Sequence, residues 1–162
     1  MGCRFPRKVS NQLNLGKVKG KEVIANFDGG EITSNAGIVL LAELDKKLKI
    51  TKQFAECFQD YRNVSSINYS PHQLLAQRIY GIVLGYEDVN DHDKLRLDPA
   101  LSIAIKKSCL IKPNQEKLAG KSTINRLEYC PATILNQSES RYHKIQYQPE
   151  KIKKTFIDIF IQ

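Results

Sequence analysis

Along most of the chain, apolar residues recur at helical spacing, and the breaks between the runs carry capping chemistry. The first regular stretch is different. Residues 22–27 (EVIANF) read as a short strand, and Asp28-Gly29-Gly30 offers the positive-φ positions of a tight turn, so a hairpin is predicted over 22–33. Ser34 is then expected to cap a helix bearing Ile38, Leu41, Leu44 and Leu48, with Lys46, Lys47 and Lys49 at its far end, where cations suit the helix dipole. Thr51 can cap a second short helix through Phe54, Ala55, Cys57 and Phe58, and 60–69 reads as loop. Ser70-Pro71 is a strong start for a helix reaching about Leu84, with Leu74, Leu75, Ile79, Ile82 and Val83 as its buried stripe. Gly81 and Gly85 lie on one side of it, where a neighbouring backbone could approach closely, and Gly85 is a natural stop.

Beyond Gly85, Asn90 or Asp91 is expected to cap a short helix through Leu97. Asp98-Pro99 opens another through Leu101, Ile103, Ala104 and Ile105. Residues 108–121 read as loop, and Ser122 caps a helix through Ile124 and Leu127. The polar stretch 131–148 reads as loop, and Pro149 starts an amphipathic helix over 150–161 with Ile152, Phe156, Ile159 and Phe160 on one side. The predicted class is α+β, mainly α-helical: an N-terminal β-hairpin followed by about six short helices. The predicted organisation is a flexible basic arm (1–21), a helical region with an initial hairpin (22–130), a polar basic loop (131–148) and a last helix (149–162).

Charge changes this picture. The 162 residues carry a formal net charge of +8, a surplus that favours a polyanionic partner. It is unevenly placed: Arg4, Arg7, Lys8, Lys17, Lys19 and Lys21 stand in 1–21 without an acid, further bases gather in 106–126 and 141–154, and 22–105 is net acidic. The plain alternative is a set of solvated lysines. The four cysteines lack the spacing of a zinc site, no apolar run approaches the ~20 residues that span a bilayer, and no signal peptide is recognisable. The expectation is a cytoplasmic protein with free thiols and no membrane partner.

Three segments invite a chemical reading. Glu87, Asp88, Asn90, Asp91, His92 and Asp93 could supply oxygen ligands to a hard cation, although the glycine and distal glutamate of a calcium loop are missing. The simpler reading makes Asn90 or Asp91 a cap, Asp93 a first-turn charge and Arg96 a partner for a carboxylate one turn back. AGKSTINR (119–126) ends like a phosphate-binding loop, but Gln115 stands where the first glycine belongs, which argues against nucleotide hydrolysis. Lys121 and Arg126 could still hold a DNA phosphate. Tyr142, His143, Lys144 and Tyr147 interleave aromatics with cations, as nucleic-acid surfaces and solvated loops both do.

Three strings carry a resemblance: F-D-G-G-x-x-x-S-N-A-G (27–37), Q-R-x-Y-G-x-x-x-G-Y-E-D-x-N-D-H-D-x-L-R-x-D-P (77–99) and L-A-G-K-S-T-x-N-R-L-E (118–128). Together they resemble the N-terminal region of bacterial DDE transposases, most closely the group named for insertion sequence thirteen-eighty, over roughly 22–130. The signature residues are Asp28, Gly29, Gly30, Gln77, Arg78, Tyr80, Gly85, Tyr86, Glu87, Asp88, Asn90, Asp91, His92, Asp93, Arg96, Asp98 and Pro99. Tyr69 departs from the pattern, since the family often has histidine before the capping serine. The resemblance implies cut-and-paste DNA transposition by a ribonuclease-H-like domain whose three carboxylates hold two Mg²⁺ ions. It implies DNA, at transposon terminal inverted repeats, as partner, and admits a homodimer in the full-length protein. The first catalytic aspartate lies in a strand like L-D-x-D-A-T-D-D, after the helix that here reads KIKKTFIDIFIQ. Asp158 does not match it, so no catalytic residue is carried over, and the expectation is an N-terminal region that binds DNA without cutting it and needs no cofactor itself. An inert remnant, a stand-alone DNA-binding module and a metal-dependent nuclease using 87–93 are the alternatives.

Overall fold

The computed structural model describes residues 12–18, 20–26, 33–108, 117–132 and 144–161, and falls into two compact units, 1–32 and 33–162. In the first, β1 (Gln12–Val18) pairs antiparallel with β2 (Lys21–Asn26), with Val18 opposite Lys21 and Gln12 opposite Asn26. This corrects the expected hairpin. EVIAN lies in the second strand, the first comes from within the supposed basic arm, and Gly20, at φ 79°, stands in the connection just before Lys21. A one-residue shift in register between Asn14 and Lys17 is absorbed by Gly16 at φ 89°. Asp28-Gly29-Gly30 lies outside the described residues.

The second unit is helical: α1 (Ile38–Leu48), α2 (Ile50–Ala55), α3 (Pro71–Val83), α4 (His92–Leu95), α5 (Pro99–Ser108), α6 (Lys121–Glu128) and α7 (Pro149–Ile161), with 3₁₀ turns at Val64–Ser66 and Val89–Asp91. Two three-residue strands, β3 (Phe58–Asp60) and β4 (Ile145–Tyr147), pair antiparallel. They correct the loops expected over 60–69 and 131–148 and shorten the second helix, which ends at Ala55. Three residues are too few to show an alternating pattern, so only the partner strand identifies them.

α3 lies between two apolar clusters. Ala76 and Tyr80 join Ile38, Ala42, Leu95, Leu101, Ala104 and Ile105, while Leu74 joins Ala119, Ile124, Leu127, Cys130 and Ile145. The inward face of α3 is not the expected stripe. Gln73, Leu74, Ala76, Gln77, Tyr80 and Gly81 are buried, whereas Ile82 and Val83 are exposed. Likewise α1 buries Ile38, Ala42 and Asp45 and exposes Leu44, and α7 leaves Phe156 and Phe160 exposed while Phe156 stacks edge-on against Phe54 at 4.9 Å.

Several caps come from unexpected donors. Ser70 and Gln73 form the reciprocal capping box of α3. Gly85, at φ 91°, ends that helix in a Schellman arrangement, its N–H reaching Ile82 O and that of Tyr86 reaching Gly81 O. Ser34 caps nothing; α1 starts after Gly37, which makes no side-chain cap. Thr51 is not a cap either. It is buried and donates its N–H to Asp45 Oδ1 at 2.9 Å and its hydroxyl to Oδ2 at 2.5 Å, while the Tyr80 hydroxyl donates to Oδ2 at 2.9 Å. Since that hydroxyl proton is committed to Asp45, the Thr51 oxygen 3.0 Å from His72 Nε2 accepts, which puts the neutral imidazole's proton on Nε2.

A buried carboxylate left short of a donor is costly. Tyr80→Phe is therefore predicted to lower stability by about 1–3 kcal/mol, read as a lower urea midpoint with an unchanged m-value. An unchanged midpoint would remove this contact from the account.

Candidate functional site

Residues 77–99 pack against the segment 117–121 around the acidic cluster. The centre is Gln77. Its Oε1 accepts the Ala119 N–H at 3.0 Å, and its Nε2 donates to Ala119 O at 2.7 Å and to His92 Nδ1 at 3.2 Å. One side chain thus satisfies both backbone groups of a buried residue. It also fixes the His92 tautomer: Nδ1 accepts, so the proton of the neutral ring sits on Nε2. That atom is buried and has no hydrogen-bond partner among the described residues. It lies against Gly81, where an added Cβ would stand 3.1 Å from His92 Cε1 and 3.3 Å from Nε2. The close approach expected at Gly81 exists, but an imidazole makes it rather than a backbone.

Arg78 ties three segments. It ion-pairs with Glu128, and its other nitrogens donate to Tyr86 O at 3.2 Å and Glu87 O at 2.7 Å. Asp88, not Asn90 or Asp91, caps the turn at 89–91, its Oδ1 accepting the Asn90 N–H at 2.8 Å. That bond is the main cause holding the Asp88 carboxyl below its ordinary value. Asp91 occupies the N-cap position of α4 without a side-chain bond. Asp93 stands in the first turn of α4, as expected, and also reaches across to α6. There Oδ1 accepts the Lys121 N–H at 3.1 Å and Oδ2 lies 3.6 Å from Lys121 Nζ. Ser122 is therefore not the cap of α6, which starts at Lys121. No Arg96–carboxylate ion pair forms among the described residues, and Arg96 Nε is buried without a partner. A Cβ at Gly120 would lie 3.0 Å from both Arg96 Nη1 and Asp93 Oδ1, so the glycine of the Gly-Lys-Ser string serves packing here.

Asp98 caps α5 through the Leu101 N–H at 2.8 Å and also accepts from the Thr33 hydroxyl at 2.6 Å and Asn35 Nδ2 at 3.0 Å. Tyr86 O–H reaches Asn35 Oδ1 at 3.4 Å. Burial raises the Asp98 carboxyl most, but the hydrogen bonds together outweigh it and the net shift is downward. The acids of 87–98 that make side-chain bonds thus serve caps and crossings. Among the described residues no group of three or more His, Cys, Asp or Glu side chains is placed to hold a metal ion, and the cluster at 87–93 does not fit one.

Of the proposed phosphate contacts, Lys21, Lys121 and Arg126 are exposed. Lys17 lies in β1, and Arg4, Arg7, Lys8 and Lys19 lie outside the described residues. Tyr142 and His143 lie outside them too; Lys144 is exposed and Tyr147 is half-buried in β4. An open groove of about 400 Å³ beside Lys121 is lined by Asp88, Val89, Asn90, Ser122, Asn125 and Tyr129. Tyr129 and Asn125 in this groove were not anticipated, because only the α6 backbone brings them beside the 89–91 turn.

A mainly helical unit with exposed bases and a polar, hydrogen-bonded acidic corner defines a protein whose surface suits polyanions. The chain matches the family model of the transposase DDE domain, group 1, over residues 15–162, and it belongs to that family. No curated protein and no solved structure matches it. DNA is thereby the partner its family implies. No helix among the described residues is long and apolar enough to cross a membrane.

Two predictions follow from the His92 environment. Gly81→Ala is predicted to cost about 1–3 kcal/mol through overpacking against the ring. In the His92→Ala background the same change should cost less, and additivity in that double-mutant cycle would refute the contact. The second concerns pH. Burial, foremost, pushes both His92 and His72 below the ordinary 6.5, so their stabilising contribution is present above pH 6.5 and lost as pH falls through the folded values. Thermal midpoints should accordingly drop between pH 7 and pH 5, and less so in His72→Gln; equal slopes in both proteins would exclude His72.

Proposed function

We propose that this region engages the terminal inverted repeats of a transposon of the insertion-sequence-thirteen-eighty group, and that it binds DNA without cutting it. The observation that carries this reading is the division of charge. Asp88, Asp93 and Asp98 are held in capping and crossing hydrogen bonds, while Lys21 and Arg126 are exposed and Lys121, also exposed, sits beside Asp93 at the rim of the groove. Family membership supplies the DNA partner. In this reading Mg²⁺ acts in the full-length enzyme at carboxylates other than those of 87–93, the full-length protein works as a homodimer, and DNA-bound protein sits with the nucleoid.

The test is titration of labelled terminal-repeat duplex across a salt series, with parallel incubations in Mg²⁺ and Mn²⁺. Affinity is expected to fall by an order of magnitude or more between low and physiological salt, since each phosphate contact adds about 0.9 to the slope of log K against log salt. Specific duplex should compete better than unrelated duplex. A salt-independent affinity sinks the phosphate contacts. Metal-dependent nicking that disappears in Asp91→Ala/Asp93→Ala sinks the non-cutting assignment and restores the nuclease alternative.

A further inference from the structure

The elbow between α1 and α2 brings charge and backbone strain into one short stretch. α1 ends at Leu48 and α2 starts at Ile50, so Lys49 alone makes the change of direction. It sits at φ 58°, ψ 29°, and among the described residues it is the one non-glycine residue with positive φ. Glycine or asparagine is the undemanding choice for such a position. A lysine retained there asks for a reason beyond the turn.

The elbow is fixed from beneath. The Lys49 N–H donates to Asp45 O at 2.6 Å, and the buried Asp45 carboxylate takes the Thr51 N–H, the Thr51 hydroxyl and the Tyr80 hydroxyl. Above it, Lys46, Lys47, Lys49 and Lys52 are all exposed, and none lies within 4.0 Å of a carboxylate among the described residues. Glu43, half-buried, already has a partner, and Glu56 is the exposed acid at the rim. The helix dipole accounts for one or two cations in a last turn. It gives no reason for a long cationic side chain at the strained residue itself.

We propose that this elbow is a contact surface for the phosphate backbone of duplex DNA, carried by bases other than those named in the reading above. The proposal rests on the DNA-binding reading above. Four exposed lysines within seven residues concentrate positive charge at a corner whose backbone is fixed, and counterion release makes their contribution measurable.

The experiment uses the full chain and a duplex of fixed length, comparing the parent with Lys47→Gln/Lys52→Gln, with Lys49→Gly and with a control, Lys94→Gln/Lys106→Gln, at exposed sites on α4 and α5. The elbow double variant should lower the slope of log K against log salt by about 1.8, and Lys49→Gly by about 0.9, while the control leaves it unchanged. Lys49→Gly should also melt no earlier than the parent, which separates lost contact from lost fold. Parent-like slopes in both elbow variants, or an equal loss in the control, overturn the elbow and leave the DNA-binding reading standing. No DNA binding by the parent overturns both.

Discussion

The bonds from the Gln77 side chain to both backbone groups of Ala119 are the interaction on which the arrangement around the acidic corner depends. Ala119 is buried, and a buried peptide group without partners costs about 1–3 kcal/mol for each unmet donor or acceptor. Among the described residues no strand pairs with the segment at 117–120, so its peptide groups find their partners in side chains and one backbone carbonyl from elsewhere. Gln77 supplies them for Ala119, the Arg96 carbonyl accepts from the Leu118 N–H at 3.3 Å, and the Tyr69 hydroxyl reaches the Lys117 and Leu118 carbonyls at 3.2 Å. Once this segment is pinned, α6 starts beside α4, which lets Asp93 cap it. The groove beside Lys121 is a consequence of the same placement.

α3 distributes these constraints. Gln77 and Gly81 face His92, Arg78 holds Glu128 and the carbonyls after the helix, and Tyr80 reaches Asp45 under the α1–α2 elbow. Its inward face is therefore polar at three positions in a helix that also contacts both apolar clusters. Polar side chains there are tolerated because each has partners, and partnered polar groups restrict geometry more tightly than interchangeable aliphatic contacts do. Facing α3 from α4, His92 Nε2 has no hydrogen-bond partner among the described residues and lies against Gly81. Burial first, then the Arg78 charge, favours the neutral ring.

What could be read from the sequence was chemistry that acts within a few residues. Ser70-Pro71, Gly85, Asp98-Pro99 and Pro149 all mark helix ends as expected, because a cap or a positive-φ stop is a local decision. Choices made by a distant partner were illegible. Ser122 looked like a cap, but Asp93 fills that role from 28 residues away. Ile82 and Val83 looked buried, but hydrogen bonds from Gln77 and Tyr80 turn α3 so that they face outward. The expected first strand, EVIAN, is the second strand of a hairpin with residues 12–18, because only that pairing, and no local signal, identifies its partner. In the acidic corner the cap is Asp88 rather than the expected Asn90 or Asp91.

The same hydrogen bonds bear on how the chain meets a polyanion. The start of α6 is a natural seat for a phosphate, but the Asp93 carboxylate already accepts its first N–H, so an incoming phosphate meets Lys121 from outside that seat. Asp45 does the corresponding work at the elbow, where its carboxylate faces inward and the lysines face water. The two places differ in what the acid leaves free. Asp93 is itself exposed and pairs with the Lys121 ammonium at 3.6 Å, so it offsets that charge while capping α6. Asp45 is buried and spends its carboxylate on Thr51 and Tyr80, so counting it against the elbow lysines misjudges its role: the acid stabilises the turn, and the exposed ammonium groups face the solvent side.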